Sequence, residues 1–249
     1  MDRVAVGARR RRSGGGVVVA DQAALISRIE TLDLDACLRI LAEADPGRVA
    51  LSTSLGREDQ VITDAICRQG LEIRLVTLDT GRLFEETYAL LDRTRERYGR
   101  AIEVHFPDTA SVERLVTDKG AYSFRASVAN RQECCQIRKV VPLRRALDGV
   151  SVWITGLRSE QSAHRRYVPL AEWDADSVLL KVNPLLHWSD AEVQAYVERH
   201  DVPVNPLHAR GFASIGCAPC TRAIGPGEHP RDGRWWWEAS VKECGLHRS

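Results

Sequence analysis

The chain has 249 residues, 44% of them apolar and 28% charged, with a formal net charge of +1. This composition excludes a mostly disordered or collagen-like chain, and no apolar run approaches the ~20 residues a membrane-crossing helix needs. At roughly 150 residues per domain the length corresponds to one or two domains. Near-neutrality argues against a nucleic-acid partner, because such modules are usually basic throughout.

The charge is unevenly placed. Arg3 and Arg9 to Arg12 crowd the N-terminus, and Lys119, Arg125, Arg131, Arg138, Lys139, Arg144 and Arg145 face a single acid, Glu133. One basic internal segment in a balanced chain fits a small anionic ligand. The first twenty residues carry arginines and an apolar stretch, but only residues 17–20 are apolar before Asp21, against the ~7 to 15 of an export-signal core. Residues 1–20 therefore read as a flexible tail and the expected compartment is the cytoplasm. There thiols stay reduced, so seven cysteines suggest metal or catalysis before disulfides.

Leu25, Ile29, Leu34, Leu38, Ile40 and Leu41 follow helical spacing, interrupted near Asp33 and broken by Pro46-Gly47. Residues 49–53 read as a buried strand, and 59–69 as a helix burying Val61, Ile62, Ala65 and Ile66 and ended by Gly70. Residues 73–78 form a second strand, followed by a helix over about 83–98. Residues 101–106 are a third strand, and 152–155 a fourth after a helix over about 137–147. Ser189 and Glu192 form a capping box for a helix whose Val193, Tyr196 and Val197 face inward. Strands alternating with helices predict an α/β fold, a parallel twisted sheet with helices on both faces in three layers. Ligands of such sheets sit beyond the carboxyl ends of the strands, which selects residues 52–59, 79–82 and 156–166.

Four groups of residues carry chemistry. Leu51 to Asp59, LSTSLGRED, offers hydroxyls, a flexible Gly56 and the N–H groups of a helix start to an anion, without the Gly-Lys-Ser/Thr of a Walker loop. The alternative is a polar turn and an N-capped helix. Cys134-Cys135 and Cys217-Ala-Pro-Cys220 supply four thiolates, the number a zinc ion or an iron-sulfur cluster requires. Helix following Cys134-Cys135 would set both sulfurs at a helix start, where the dipole favours negative charge. Cys37 and Cys67 lie on helices and read as small apolar core residues. Cys244, near Lys242 and His247, is either an inert tail residue or a nucleophile that leaves its site to be reduced. Arg158, Arg165, Arg231 and Arg234 match the oxygens of phosphate or sulfate. Trp235-Trp236-Trp237 reads as a packing element for the terminal segment.

Taken together, SLGRED (54–59), LDTGR (78–82), Cys134-Cys135 with Lys139, ITGLRSEQSAHR (154–165), VNPLLHW (182–188), NPLH (205–208), GFASIGCAPCTR (211–222), RDGRWWWE (231–238) and ECGLH (243–247) resemble the assimilatory adenylyl-sulfate and phosphoadenylyl-sulfate reductases. The resemblance implies the adenine-nucleotide α-hydrolase-like (PP-loop type) fold, with a reductase domain over 21–230 and a C-terminal segment, 231–249, carrying the nucleophile Cys244. It implies that Ser52, Ser54, Gly56 and Asp79 hold the nucleotide, with Gly156 near the adenosine, and that Lys139, Arg158, Arg165, Arg231 and Arg234 surround the phosphosulfate. Cys134, Cys135, Cys217 and Cys220 would bind a [4Fe-4S] cluster, and thioredoxin would be the transient electron donor. Family members with these four cysteines resemble the adenylyl-sulfate enzymes, which favours that substrate over its 3′-phosphorylated form. Ser159, Val204 and Ala209 depart from the usual pattern. The rival readings are a zinc-bearing ATP pyrophosphatase, whose Ser-Gly-Gly-x-Asp-Ser loop is missing, and a non-catalytic nucleotide-binding module. A homo-oligomer is compatible with all three.

Overall fold

The computed structural model describes residues 19–175, 177–239 and 246. Residues 1–18 of the expected tail and Cys244 lie outside the described residues, whereas residues 19 and 20, also read as tail, already belong to the first helix.

Two short helices open the fold, α1 (Val19–Ile29) and α2 (Leu34–Ala44). The interruption at Asp33 is the N-cap of α2, its side chain accepting from the Ala36 amide at 2.8 Å. Strand β1 (Val49–Thr53) leads into α3 (Arg57–Arg68), and β2 (Arg74–Leu78) into α4 (Glu85–Tyr98), which Gly99 closes in the left-handed conformation at φ +60°. Strand β3 (Glu103–His105) precedes α5 (Thr109–Lys119), a helix the sequence reading did not foresee. Next come α6 (Val128–Cys135), a widened turn over Gln136–Val140 and α7 (Val141–Ala146). Strand β4 (Val152–Ile154), the hairpin of β5 (Ala171–Asp174) and β6 (Leu179–Val182), and α8 (Asp190–His200) complete the regular elements. The Ser189 capping box opens α8 as expected, and Val193 and Val197 are buried.

The strand order is β3-β2-β1-β4-β6-β5. All neighbours pair in parallel except β5 with β6. The sheet is thus parallel with one antiparallel edge strand, which the alternation of elements could not reveal because β5 follows β4 without a crossover helix. Chain order runs outward from β1 through β2 to β3 and, on the other side, through β4 to β6. The switch point therefore falls between β1 and β4, where open α/β sheets bind ligands.

Side chains alternate between two faces. Val152 and Ile154 of β4 join the main core with Leu51, Leu180, Val182 and apolar residues of α1, α2, α3 and α8. Trp153 points the other way and packs with Leu143 of α7 and Leu179. Leu246, near the C-terminus, packs against this second cluster.

Candidate active site

A cavity of about 490 Å³ lies over the carboxyl ends of β1, β2 and β4. Of the expected substrate-binding residues, Ser52, Ser54, Gly56, Lys139, Gly156, Arg158, Arg165, Arg231 and Arg234 all line it, whereas Asp79 does not.

The loop after β1 is fastened from below. Asp59 is buried and accepts from the Ser54 amide at 2.6 Å and the Ser54 hydroxyl at 2.7 Å. The Gly156 backbone N–H, on the loop after β4, bonds to the same carboxylate. Gly156 must be glycine here, because a Cβ would stand 2.3 Å from Asp59 Oδ1. Burial above all, with Glu58 adding, pushes the Asp59 carboxyl up to about 6, against the pull of the Ser54 hydrogen bonds. Leu55 takes the left-handed conformation at φ +60°, its amide donating to Thr53 Oγ1 at 3.0 Å. The hydroxyls expected to meet an anion are therefore engaged with protein: Ser54 with Asp59, and Ser52 as acceptor of the Trp153 indole N–H at 2.7 Å. The start of α3 at Gly56 carries no side-chain cap.

Asp79 organises rather than lines. Its Oδ1 accepts from the Gly81 amide at 2.7 Å and from the Tyr88 hydroxyl at 3.0 Å, fixing a turn in which Gly81 sits at φ +69°. The same turn reaches the cysteines: the Thr80 carbonyl accepts from Arg138 at 2.6 Å, and Thr80 Oγ1 lies 3.2 Å from Cys217 Sγ.

The arginines divide by partner. Arg158 is buried and bound to Glu58 at 3.0 Å, Glu160 at 3.4 Å and Asp190 at 2.7 Å, so its charge is met by protein carboxylates. Arg165 donates to Gln161, which in turn donates to Glu58. Arg234 meets neutral acceptors, Ser214 Oγ at 3.3 Å and the Ile215 carbonyl at 3.2 Å, and its Nε is buried without a hydrogen-bond partner. With Lys139 and Arg231 it makes a cationic end of the cavity, and the four carboxylates among the lining residues, Glu58, Asp59, Glu160 and Asp190, belong to the loops around Arg158. An apolar end is formed by Leu78, Leu143, Trp153 and Leu246. The sequence reading gave no lining role to Trp153, Leu246 or His208, although the strand alternation at 152–154 carried a signal for the first and the ECGLH and NPLH motifs contain the other two.

Beside this cavity lies a smaller one, about 20 Å³, into which Cys134, Cys135, Cys217 and Cys220 all open. Lys139, Cys217 and Trp235 line both cavities and form the wall between them. The four sulfurs are gathered but not drawn together: among the described residues no three Cys, His, Asp or Glu side chains are arranged to hold a metal ion. The cysteine pair does not open a helix, contrary to expectation. Ser127 caps α6 seven residues earlier, its hydroxyl accepting from the Asn130 amide, so Cys134-Cys135 closes that helix before the widened turn. No helix start lies at these two sulfurs; Arg82, Arg131, Arg138 and Lys139 surround them instead. Burial opposes the Cys217 thiolate most strongly, yet Lys139, the Thr80 hydroxyl, Arg234 and Arg138 bring its pKa below the ordinary cysteine value. Burial and then the neighbouring Cys217 push the Cys220 thiol up to about 12.

Trp235 and Trp237 pack the terminal segment, as expected of the run, while Trp236 between them is exposed. Trp235 is 1% exposed and is sandwiched between the Arg131 and Arg234 guanidinium groups at 4.6 and 4.8 Å from its ring centre. Arg131 is in turn paired with the buried Glu238 at 2.8 Å. Cys37 is buried in the core as a small apolar residue.

A doubly wound sheet with a ligand cavity at its switch point is common to open α/β nucleotide-binding folds, and the solved structures this chain resembles narrow it to the adenine-nucleotide α-hydrolase-like class. A phosphoadenylyl-sulfate reductase from Candida auris, in complex with phosphate, superposes with a TM-score of 0.71 at 26% identity, covering 84% of this chain and 100% of that one. A Candida glabrata FMN adenylyltransferase shares the fold at a TM-score of 0.53 and 13% identity, over 95% of this chain and 80% of that one. Residues 48–223 match the phosphoadenosine phosphosulfate reductase domain. Proteins named adenosine 5′-phosphosulfate reductase are 52% identical in Rhizobium meliloti (strain 1021), over 88% of this chain and 83% of the relative, and 52% identical in Allochromatium vinosum, over 80% and 78%. The chain belongs to the phosphoadenosine phosphosulfate reductase family and is an oxidoreductase acting on a sulfur group.

Proposed function

We propose that this chain reduces adenosine 5′-phosphosulfate (adenylyl sulfate) to sulfite and AMP, with thioredoxin as electron donor, in the cytoplasmic assimilation of sulfate toward cysteine. One observation carries the reading: the cationic end of a mononucleotide-sized cavity shares a wall, Lys139, Cys217 and Trp235, with a cavity gathering four cysteines. The names of the relatives support the same substrate.

In this reading the Leu143 and Trp153 surface takes the adenine and the loops joined by Asp59 flank the ribose and phosphate. Lys139, Arg231 and Arg234 meet the phosphosulfate, and the unpaired Arg234 N–H finds its acceptor there. The Cys244 thiolate attacks the sulfate sulfur, the bond from that sulfur to the bridging oxygen breaks, and AMP departs with the electron pair. The three cations offset the charge that builds on the departing oxygen. Cys244 is left as S-sulfocysteine. A thioredoxin thiolate then attacks Cys244 Sγ and expels sulfite, and the second thioredoxin thiol releases Cys244, so one dithiol supplies the two electrons that take sulfur from sulfate to sulfite.

Cys134, Cys135, Cys217 and Cys220 would hold a [4Fe-4S] cluster. The residues around them fit it: Arg138 Nε and Trp235 Nε1 are buried donors without partners in the cavity wall, where sulfur acceptors would satisfy them, and Arg82, Arg138 and Lys139 would offset the charge of a thiolate-bound cluster, Arg131 being paired with Glu238. When bound, the cluster supplies a fixed charged group and a cross-link between the end of α6 and the 217–220 turn.

The test is mass spectrometry of the C-terminal peptide after incubation with adenylyl sulfate and no reductant. Added SO3 on Cys244, released as sulfite by reduced thioredoxin, is expected; an unmodified Cys244 overturns the reading. Steady-state rates with the 3′-phosphorylated nucleotide decide the substrate, and the lower rate is expected there.

A further inference from the structure

His208, the last residue of the NPLH motif, lines the large cavity yet has no part in the scheme above. Its Nδ1 lies 2.8 Å from the Phe212 carbonyl oxygen. A carbonyl can only accept, so Nδ1 carries the proton and Nε2 is a bare acceptor in the neutral ring. Burial, and then Arg57, hold the ring's pKa below the ordinary histidine value, with the Phe212 carbonyl, Glu58 and Asp190 acting the other way. Nε2 itself is buried with no hydrogen-bond partner. Such atoms are nearly always paired in folded proteins, and one beside a ligand cavity calls for a donor on the ligand.

The surroundings narrow the donor. Glu58 and Asp190, the carboxylates that act on the ring, are already bridged by Arg158. This corner thus offers acceptors and compensated charge. A hydroxyl can donate to it, while a phosphoryl group brings negative charge and no proton to give.

We propose that His208 is a specificity-determining residue: Nε2 accepts a hydrogen bond from the free ribose 3′-hydroxyl of the bound nucleotide, and with Glu58 and Asp190 it rejects a nucleotide phosphorylated there. The inference rests on the nucleotide reading above and explains how the site separates adenylyl sulfate from its 3′-phosphorylated form.

Calorimetric titration of the full chain with AMP, 2′-deoxy-AMP, 3′-deoxy-AMP and adenosine 3′,5′-bisphosphate tests it. The wild-type protein loses about tenfold in affinity with 3′-deoxy-AMP, the worth of one hydrogen bond to a buried acceptor, loses less with 2′-deoxy-AMP, and binds the bisphosphate more weakly than AMP. His208→Asn keeps a donor for the Phe212 carbonyl and removes the acceptor; His208→Phe keeps the ring and removes both. Each binds AMP about tenfold more weakly and no longer distinguishes AMP from 3′-deoxy-AMP. Equal binding of AMP and 3′-deoxy-AMP by the wild type, or wild-type discrimination kept in the variants, overturns the inference while leaving the nucleotide reading intact. Failure of the wild type to bind AMP at all overturns that reading and the inference with it.

Discussion

Gly156→Ala is the sharpest probe of how the two loops at the switch point are joined. The added methyl would stand 2.3 Å from Asp59 Oδ1 and 3.1 Å from the Asp59 amide and Glu58 Cβ. Neither neighbour is a flexible chain end: Asp59 is held by Ser54 at 2.6 and 2.7 Å, and Glu58 by Arg158 at 3.0 Å. The loop after β4 must therefore move, breaking the Gly156 N–H bond to Asp59. Losing one hydrogen bond to a buried carboxylate costs roughly 1.5–3 kcal/mol, and forcing a methyl into a filled site costs about 1–3 kcal/mol more. The sum, about 2.5–6 kcal/mol, is a large part of the 5–15 kcal/mol that typically holds a domain together. Urea unfolding followed by circular dichroism measures it. Because both changes act on one contact, adding Asp59→Ala to Gly156→Ala should cost clearly less than Asp59→Ala alone. A midpoint for Gly156→Ala within error of wild type, or strict additivity in the pair, would refute the reasoning.

Asp59 also sets a pH dependence. Its carboxyl is raised from 3.8 to about 6 in the fold, so between those values the native state keeps a proton that the unfolded chain has released. This contribution is complete below the lower value and is lost as pH rises through about 6; Asp59→Asn should remove that slope, read from urea midpoints at pH 4 to 7, and an unchanged slope speaks against it. Glu238→Ala leaves the fully buried Arg131 without its carboxylate and should destabilise by about 3–5 kcal/mol, seen as a lowered thermal midpoint; a shift no larger than that of a surface substitution counts against the pair. Cys220→Ser should lower iron and acid-labile sulfide in anaerobically purified protein while Cys37→Ser leaves both unchanged, and equal metal content in the two variants would exclude the four-cysteine site.

Much of the architecture was legible because it is local. Residues 49–53 are apolar enough to be a strand buried on both faces, Gly99 closes α4 because it accepts φ +60°, and Ser189 with Glu192 caps α8 by its own side chains. The four cysteines and nine of the ten expected binding residues, which line one cavity, were legible as a motif set, since the carboxyl ends of the strands collect them at one rim.

The division of labour within that rim was not. Four arginines look alike in sequence, yet Arg158 lies against Glu58 and Asp190, 100 and 32 residues away in the chain, while Arg234 keeps a buried N–H without a partner. Asp79 fits an anion-site motif but faces Gly81 and Tyr88, and the cysteine pair closes α6 because Ser127 starts that helix earlier. Sequence by itself determined which elements form and which residues crowd one end of the sheet, because hydrophobic period and capping act over a few residues. Which charges remain for a ligand, and which acceptor waits at His208, only the tertiary structure decided, because a buried polar atom takes its role from the partners that folding brings to it.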